Sequence, residues 1–210
     1  MLKSALALFS ASLLLIITSC APKRVEVPPF QPKTLNQILS EKVSISQIDT
    51  DFSIIFKKPD TEISGEGVLD IRENGDLNLR VYSIGILMME LSSKNAIVKS
   101  NPRLDKNRSA ILTRGLRDCF FWWDIKDYVV SEEENGLFSL ANQDRKLWID
   151  KKTSLPVKQN IRFDDGKEID VFYDIPVNEK GVWYQSKMRI ELSRYSVTMD
   201  VKNISFKNTP

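Results

Sequence analysis

Hydrophobic and polar residues alternate along most of this chain. Phe52, Ile54 and Phe56 are separated by polar or smaller partners, and Leu77, Leu79 and Val81 interleave with Asn78, Arg80 and Tyr82. Ile161 and Phe163 continue the habit, as do Ile169, Val171 and Tyr173, then Met188, Ile190 and Leu192. Tyr195, Val197, Met199 and Val201 form the last such run. Successive side chains of a strand point to opposite faces, so this period predicts antiparallel strands with one dry and one wet side. Asn74-Gly75, Asn135-Gly136 and Asp165-Gly166 are short-hairpin turn signals, and Lys180-Gly181 reads as another. About eleven strands in one meander account for these signals, with no repeat and no internal domain break. Leu87-Met88-Met89 lacks polar alternation, which predicts a strand buried on both faces.

Two segments follow a helical period instead. Leu35, Ile38 and Leu39 share one face of a short helix over 35–42, with Thr34 as its N-cap. In SAILTRGLRDCFFWW, Ser109 to Trp123, the residues Leu112, Leu116, Cys119, Phe120 and Trp123 make an amphipathic stripe, with Gly115 as its weak point. A meander with one apolar face presents more greasy surface than two helices cover. It must close into a barrel, fold into a sandwich, or curl around the helices. A long aromatic helix inside the meander favours the third solution. The helix then either plugs an apolar cavity or completes a dry core, and pattern alone leaves both open.

The N-terminus has another character. Lys3 precedes an apolar run from Ala5 to Ile17, and Ile17-Thr18-Ser19 leads into Cys20. This layout resembles the bacterial lipoprotein signal, which implies that residues 1–19 are cleaved and Cys20 is lipidated. The apolar run is short for a span, which needs ~20 residues, so the lipid is the expected membrane link. Residues 20–33 hold four prolines in APKRVEVPPFQPK and read as an extended tether. Residues 34–210 then form a single domain.

Composition narrows the chemistry. The chain has no histidine, which removes Ser-His and Cys-His catalysis and the commonest metal ligand. Of its 2 cysteines only Cys119 remains once Cys20 is modified, and among Leu116, Phe120 and Phe121 it reads as a small buried hydrophobe. The 30 basic and 28 acidic residues nearly balance without a basic stripe, so nucleic acid is not an expected partner. Glu132-Glu133-Glu134 and Asp164-Asp165 flank turns as solvated clusters and lack the spacing of a calcium loop. No cofactor and no enzymatic activity are expected.

The stretch from Lys146 to Val157, KLWIDKKTSLPV, resembles the strand ending in Asp, turn, Pro and next strand of the LolA/LolB-like outer-membrane lipoprotein carrier and receptor family. The early strands around 65–72, 79–81 and 84–87, and the order of helix, strands, helix, strands, are similar to the same family. The resemblance implies a mainly β, α+β fold: an incomplete antiparallel β-barrel capped by an N-terminal and a mid-chain helix, enclosing an apolar cavity for acyl chains. Leu112, Leu116, Phe120, Trp123 and Trp148 are the expected lining of that cavity. The lipid-anchored branch is a receptor, and Cys20 places this chain beside it, on the periplasmic face of the outer membrane. That branch carries an exposed apolar residue in the loop after the third strand, for which Ile84 or Ile86 is the candidate. The expected partners are the membrane through the N-terminal lipid, lipoprotein acyl chains or another lipid, and a periplasmic LolA-like carrier. The alternative is an assembly lipoprotein that grips a protein partner, with a filled core and an exposed apolar or edge-strand patch.

Overall fold

A computed structural model describes residues 28–29, 32–133 and 135–208 of the 210-residue chain. Cys20 and the segment before it lie outside the described residues. The chain enters through α1 (Leu35–Ser40), where Thr34 and Gln37 form a reciprocal capping box, so two orphan amides of the first turn are satisfied. Leu35, Ile38 and Leu39 are buried, as their spacing requires.

Twelve strands follow rather than about eleven: β1 (Ile45–Lys58), β2 (Thr61–Arg72), β3 (Leu77–Ser83), β4 (Ile86–Lys94), β5 (Ile97–Asn101), β6 (Val129–Glu133), β7 (Leu137–Ala141), β8 (Arg145–Asp150), β9 (Leu155–Arg162), β10 (Glu168–Glu179), β11 (Val182–Leu192) and β12 (Tyr195–Asn208). They form one antiparallel sheet in the order β5-β4-β3-β2-β1-β12-β11-β10-β9-β8-β7-β6, with the first and last strands paired at its centre. The sheet is unclosed. Its two edges are β5 and β6, the strands on either side of the mid-chain helical segment. Gly75, Gly136, Gly166 and Gly181 all take positive φ at hairpin turns, the backbone region that the Asn-Gly type of turn needs.

The mid-chain segment, 106–120, begins three residues before the expected start. Asp105 caps α2 (Lys106–Ala110) by accepting from the Arg108 amide. A π-helical turn (Ile111–Gly115) follows, and α3 (Leu116–Phe120) completes it. Ile111, Gly115 and Cys119 recur every four residues, as do Leu112, Leu116 and Phe120, and all of them are buried or line the core. A plain α-helix turns every 3.6 residues and would rotate this stripe away from the sheet. One wider turn holds it in place. Gly115 is a contact point instead of a weak one: a Cβ there would stand 3.3 Å from Ile190 and 3.4 Å from Ile169, so its absence lets the helix reach β10 and β11.

The inner sheet face supplies Phe52, Leu69, Leu79, Leu147, Ile161, Val171, Ile190 and Met199, all fully buried against the helical segment. Leu87 and Met88 depart from the expectation of a strand buried on both faces. Each is about half exposed, because a bulge at Val81/Tyr82 and the nearby end of β4 carry them past the helical segment.

Candidate functional site

The sheet holds the C-terminal end of the helical segment through a buried polar cluster. Arg145 on β8 donates Nη1 to Asp124 O, Nη2 to both Asp118 O and Trp122 O, and Nε to Gln159 Oε1, at 2.8–3.0 Å. Gln159 on β9 donates Nε2 to Asp118 O and to the Tyr173 hydroxyl, which itself donates to Cys119 O. Three strands therefore satisfy the orphan carbonyls at the end of α3. Burial lowers the Arg145 pKa, and Asp118 opposes that shift. Arg117, paired with Asp118 and Asp124, donates to Glu73 O at the β2–β3 turn. The opposite end is held less firmly: α2 has no fully buried residue and meets the β9–β10 turn through the exposed Lys106–Asp165 pair at 3.0 Å and a hydrogen bond from Lys167 Nζ to Asn107 Oδ1 at 3.2 Å.

The concave space is nearly full. A cavity of about 20 Å³ remains beside Trp122 and Trp123, room for one water and not for an acyl chain. Phe120 and Trp123 line it, whereas Leu112 and Leu116 are packed in the surrounding core. Cys119 also lines it, and burial pushes its thiol up to about 12, so it is no nucleophile. Trp148 corrects the sequence reading. Leu147 and Ile149 occupy the inner face, so Trp148 between them faces outward, where Lys146 and Lys158 lie over its ring at 4.6 and 5.7 Å.

Sequence reasoning missed Lys42, which also lines the cavity. Its ammonium is buried, donates to Trp183 O at 2.8 Å, and lies over the Trp122 and Trp123 rings at 6.0 and 5.6 Å. Burial lowers its pKa from 10.5 to about 8, against the opposing pull of Glu41. Such a shift penalises the charged form by roughly 3 kcal/mol, partly offset by the carbonyl and the indole faces. Lys42→Met should therefore raise stability at pH 7 by about 1–2 kcal/mol, read from urea midpoints. The unfolded chain keeps this proton to 10.5 while the native one loses it near 8, so wild-type stability gains with pH across that window. The advantage of Lys42→Met should accordingly fade as pH approaches 10.5.

At the other end of the sheet, the β3–β4 hairpin projects an apolar tip. Ile84 is 99 % exposed and Ile86 66 %, with Leu87 and Met88 behind them and Ile63 on the neighbouring β1–β2 hairpin. Ile84 and Gly85 take φ of 51° and 75°, a pair of left-handed residues of the kind that Asn-Gly fills at low cost. A β-branched residue there is strained by about 1 kcal/mol or more. Ile84 thus carries two costs, one of hydration and one of backbone. The sheet edges expose apolar residues too, Ile97 and Val98 on β5 and Val129 and Val130 on β6. Among the described residues, no group of three or more Cys, Asp or Glu is placed to hold a metal.

No protein-family model and no curated protein sequence matches the chain. Solved structures do. A LolA-superfamily protein from Nitrosomonas europaea is 15% identical with a TM-score of 0.52, the match covering 85% of this chain and 96% of that one. A DUF1329-family protein from Desulfovibrio piger is 12% identical with a TM-score of 0.57, covering 82% and 90%. At these identities the likeness to both structures is one of fold.

Proposed function

We propose that the protein is a lipid-anchored acyl-chain receptor, tethered through Cys20 to the periplasmic face of the outer membrane. It accepts lipoprotein acyl chains, or another lipid, from a LolA-like carrier and passes them to the bilayer. The chain lodges between the helical segment and the inner sheet face. Because the cavity in this conformation is about 20 Å³, α2 must lift from the sheet to admit it, and α2 is the end without a fully buried residue. The observation that carries this reading is Ile84, a strained and fully exposed isoleucine at the hairpin tip, where folding alone favours asparagine. Burial in lipid repays the hydration cost of Ile84, Ile86, Leu87 and Met88 together, at ~25 cal/mol per Å².

The lipidated protein carrying Ile84→Cys, labelled with an environment-sensitive dye, tests the tip. Cys119 is buried and stays unlabelled. On adding phospholipid vesicles, the dye at 84 should shift to the blue and brighten, whereas the same dye on Gly75→Cys at the opposite end should not. A polar signal at 84 in the presence of vesicles rejects the reading. Ile84→Asn should in parallel raise stability by about 1 kcal/mol and slow lipid transfer.

A second reading has its own support. The filled core and the exposed residues Ile97, Val98, Val129 and Val130 on the two open edges suit an assembly lipoprotein that adds a partner's strand to the sheet. Native mass spectrometry separates the two. Co-purified lipid supports the receptor, and an empty protein that retains an envelope partner supports assembly.

A further inference from the structure

The sheet ends in two strands of 5 residues each, β5 and β6, and both follow one plan. Ser100 on β5 pairs with Leu91, and Val130 on β6 pairs with Leu140; both leucines lie on the buried inner face. Alternation therefore sets Val98 and Val130 on the inner face and Ile97 and Val129 on the outer one, and all four are exposed. Charge separates the two edges. Residues 94–103 carry Lys94, Lys99 and Arg103 and no acid, whereas residues 126–133 carry Asp127, Glu132 and Glu133 against Lys126 alone. Like charge along an edge discourages it from pairing with its own copy. Opposite charge leaves β5 and β6 suited to one another.

We infer that the strand each open edge takes up belongs to a second copy of this chain, β5 of one molecule adding to β6 of the next. This rests on the reading in which the edges accept a partner's strand, and it names the partner. Every neighbouring pair in the sheet order is antiparallel, so β5 and β6, at its two ends, run in opposite directions. An antiparallel β5–β6 contact thus continues the sheet without inverting the molecule. Inner faces stay on one side, and the Ile84 tips all point the same way. With Val98 set opposite Val130, Ile97 meets Ser131 and Lys99 meets Val129. Asp127, just before β6, then falls next to Lys99, and Glu132 and Glu133 come beside the β4–β5 turn that follows Lys94. The contact is heterologous, so each added copy leaves one free edge of each kind and the row extends. Two 5-residue edges fall short of the ~1,200 Å² of a standard interface, so the row forms where membrane anchoring concentrates the copies and not in dilute solution.

The test mixes two lipidated proteins in phosphatidylcholine vesicles under mild oxidation, one carrying Val98→Cys and the other Val130→Cys. Cys119 is buried and stays out of the reaction. The mixed disulfide dimer should exceed either homodimer by about tenfold. A single chain carrying both substitutions should give a ladder of dimers, trimers and longer species. Lys99→Glu in the first protein should lower the mixed dimer about fivefold. Asp127→Lys in the second should restore it, which a folding defect would not allow. Homodimers equal to the mixed dimer, or a yield indifferent to Lys99→Glu, overturn the inference. If the same cysteines form no mixed dimer in vesicles yet cross-link to another protein in envelope membranes, the second copy is wrong and the partner-strand reading stands. If they cross-link to nothing in either setting, that reading falls as well.

Discussion

Arg145→Met should lower the free energy of unfolding by about 3–5 kcal/mol, read as a fall in urea midpoint at constant slope. The methionine fills much of the same volume and replaces none of the bonds. Asp118 O, Trp122 O and Asp124 O at the end of α3 lose a shared donor, and Gln159 Oε1 loses its partner on β8. A buried acceptor without a partner costs about 1–3 kcal/mol, and several are orphaned together. Arg145→Lys should recover only a part, because a single ammonium cannot span carbonyls that the planar guanidinium reaches from both sides. The same bonds decide which end of the helical segment moves. With α3 pinned from β8, β9 and β10, opening must begin at α2, which meets the β9–β10 turn through the Lys106–Asp165 pair and the Lys167–Asn107 hydrogen bond. Native-state hydrogen exchange should show amides of α2 opening well before those of α3 in wild type. In Arg145→Met that difference should shrink. Equal protection of the two ends in wild type would remove the pinned-end account.

The elements that could be read from the sequence are those whose signals are local. The period of two in β3, β10 and β11, the Asn-Gly and Asp-Gly turns, and the Thr34–Gln37 capping box each depend on residues a few positions apart. The cavity lining expected from the family resemblance fails at Trp148 because its parity, opposite to Leu147 and Ile149, turns it outward, and on a sheet parity prevails. The same parity would have found Arg145, two residues before Leu147 and on its face, as a polar group in need of inward partners. Its partners, the carbonyls of Asp118, Trp122 and Asp124, lie more than twenty residues away and leave no trace in the pattern around β8. Lys42 follows a short helix and reads as an ordinary surface lysine. Only the pairing of β1 with β12, and of β12 with β11, brings Trp183 and Gln185 to it. Alternation states which face is dry, and it does not state how completely the helical segment fills that face. The cavity was for that reason beyond reach of the pattern.

Gly67→Val should cost about 2–4 kcal/mol, although the site lies on a strand where valine is the better β-former. Gly67 on β2 pairs directly with Phe52 on β1, and the Phe52 ring lies flat over the place where a side chain would begin. A Cβ there would stand 2.2 and 2.3 Å from two ring carbons, with Phe52 fully buried and unable to withdraw. Gly65, two residues earlier, is under the same constraint from a neighbouring backbone, its Cβ falling 2.3 Å from Tyr82 O on β3. Glycines at successive inward positions let a sheet bend sharply, and an aromatic ring laid across one restores the lost packing. Phe52→Ala alone should cost about 3–5 kcal/mol through the void it leaves. The double variant Gly67→Val/Phe52→Ala should lose less than the sum by about 1 kcal/mol or more, because the valine enters the space the ring vacates. Strict additivity would mean that the ring and the glycine are independent.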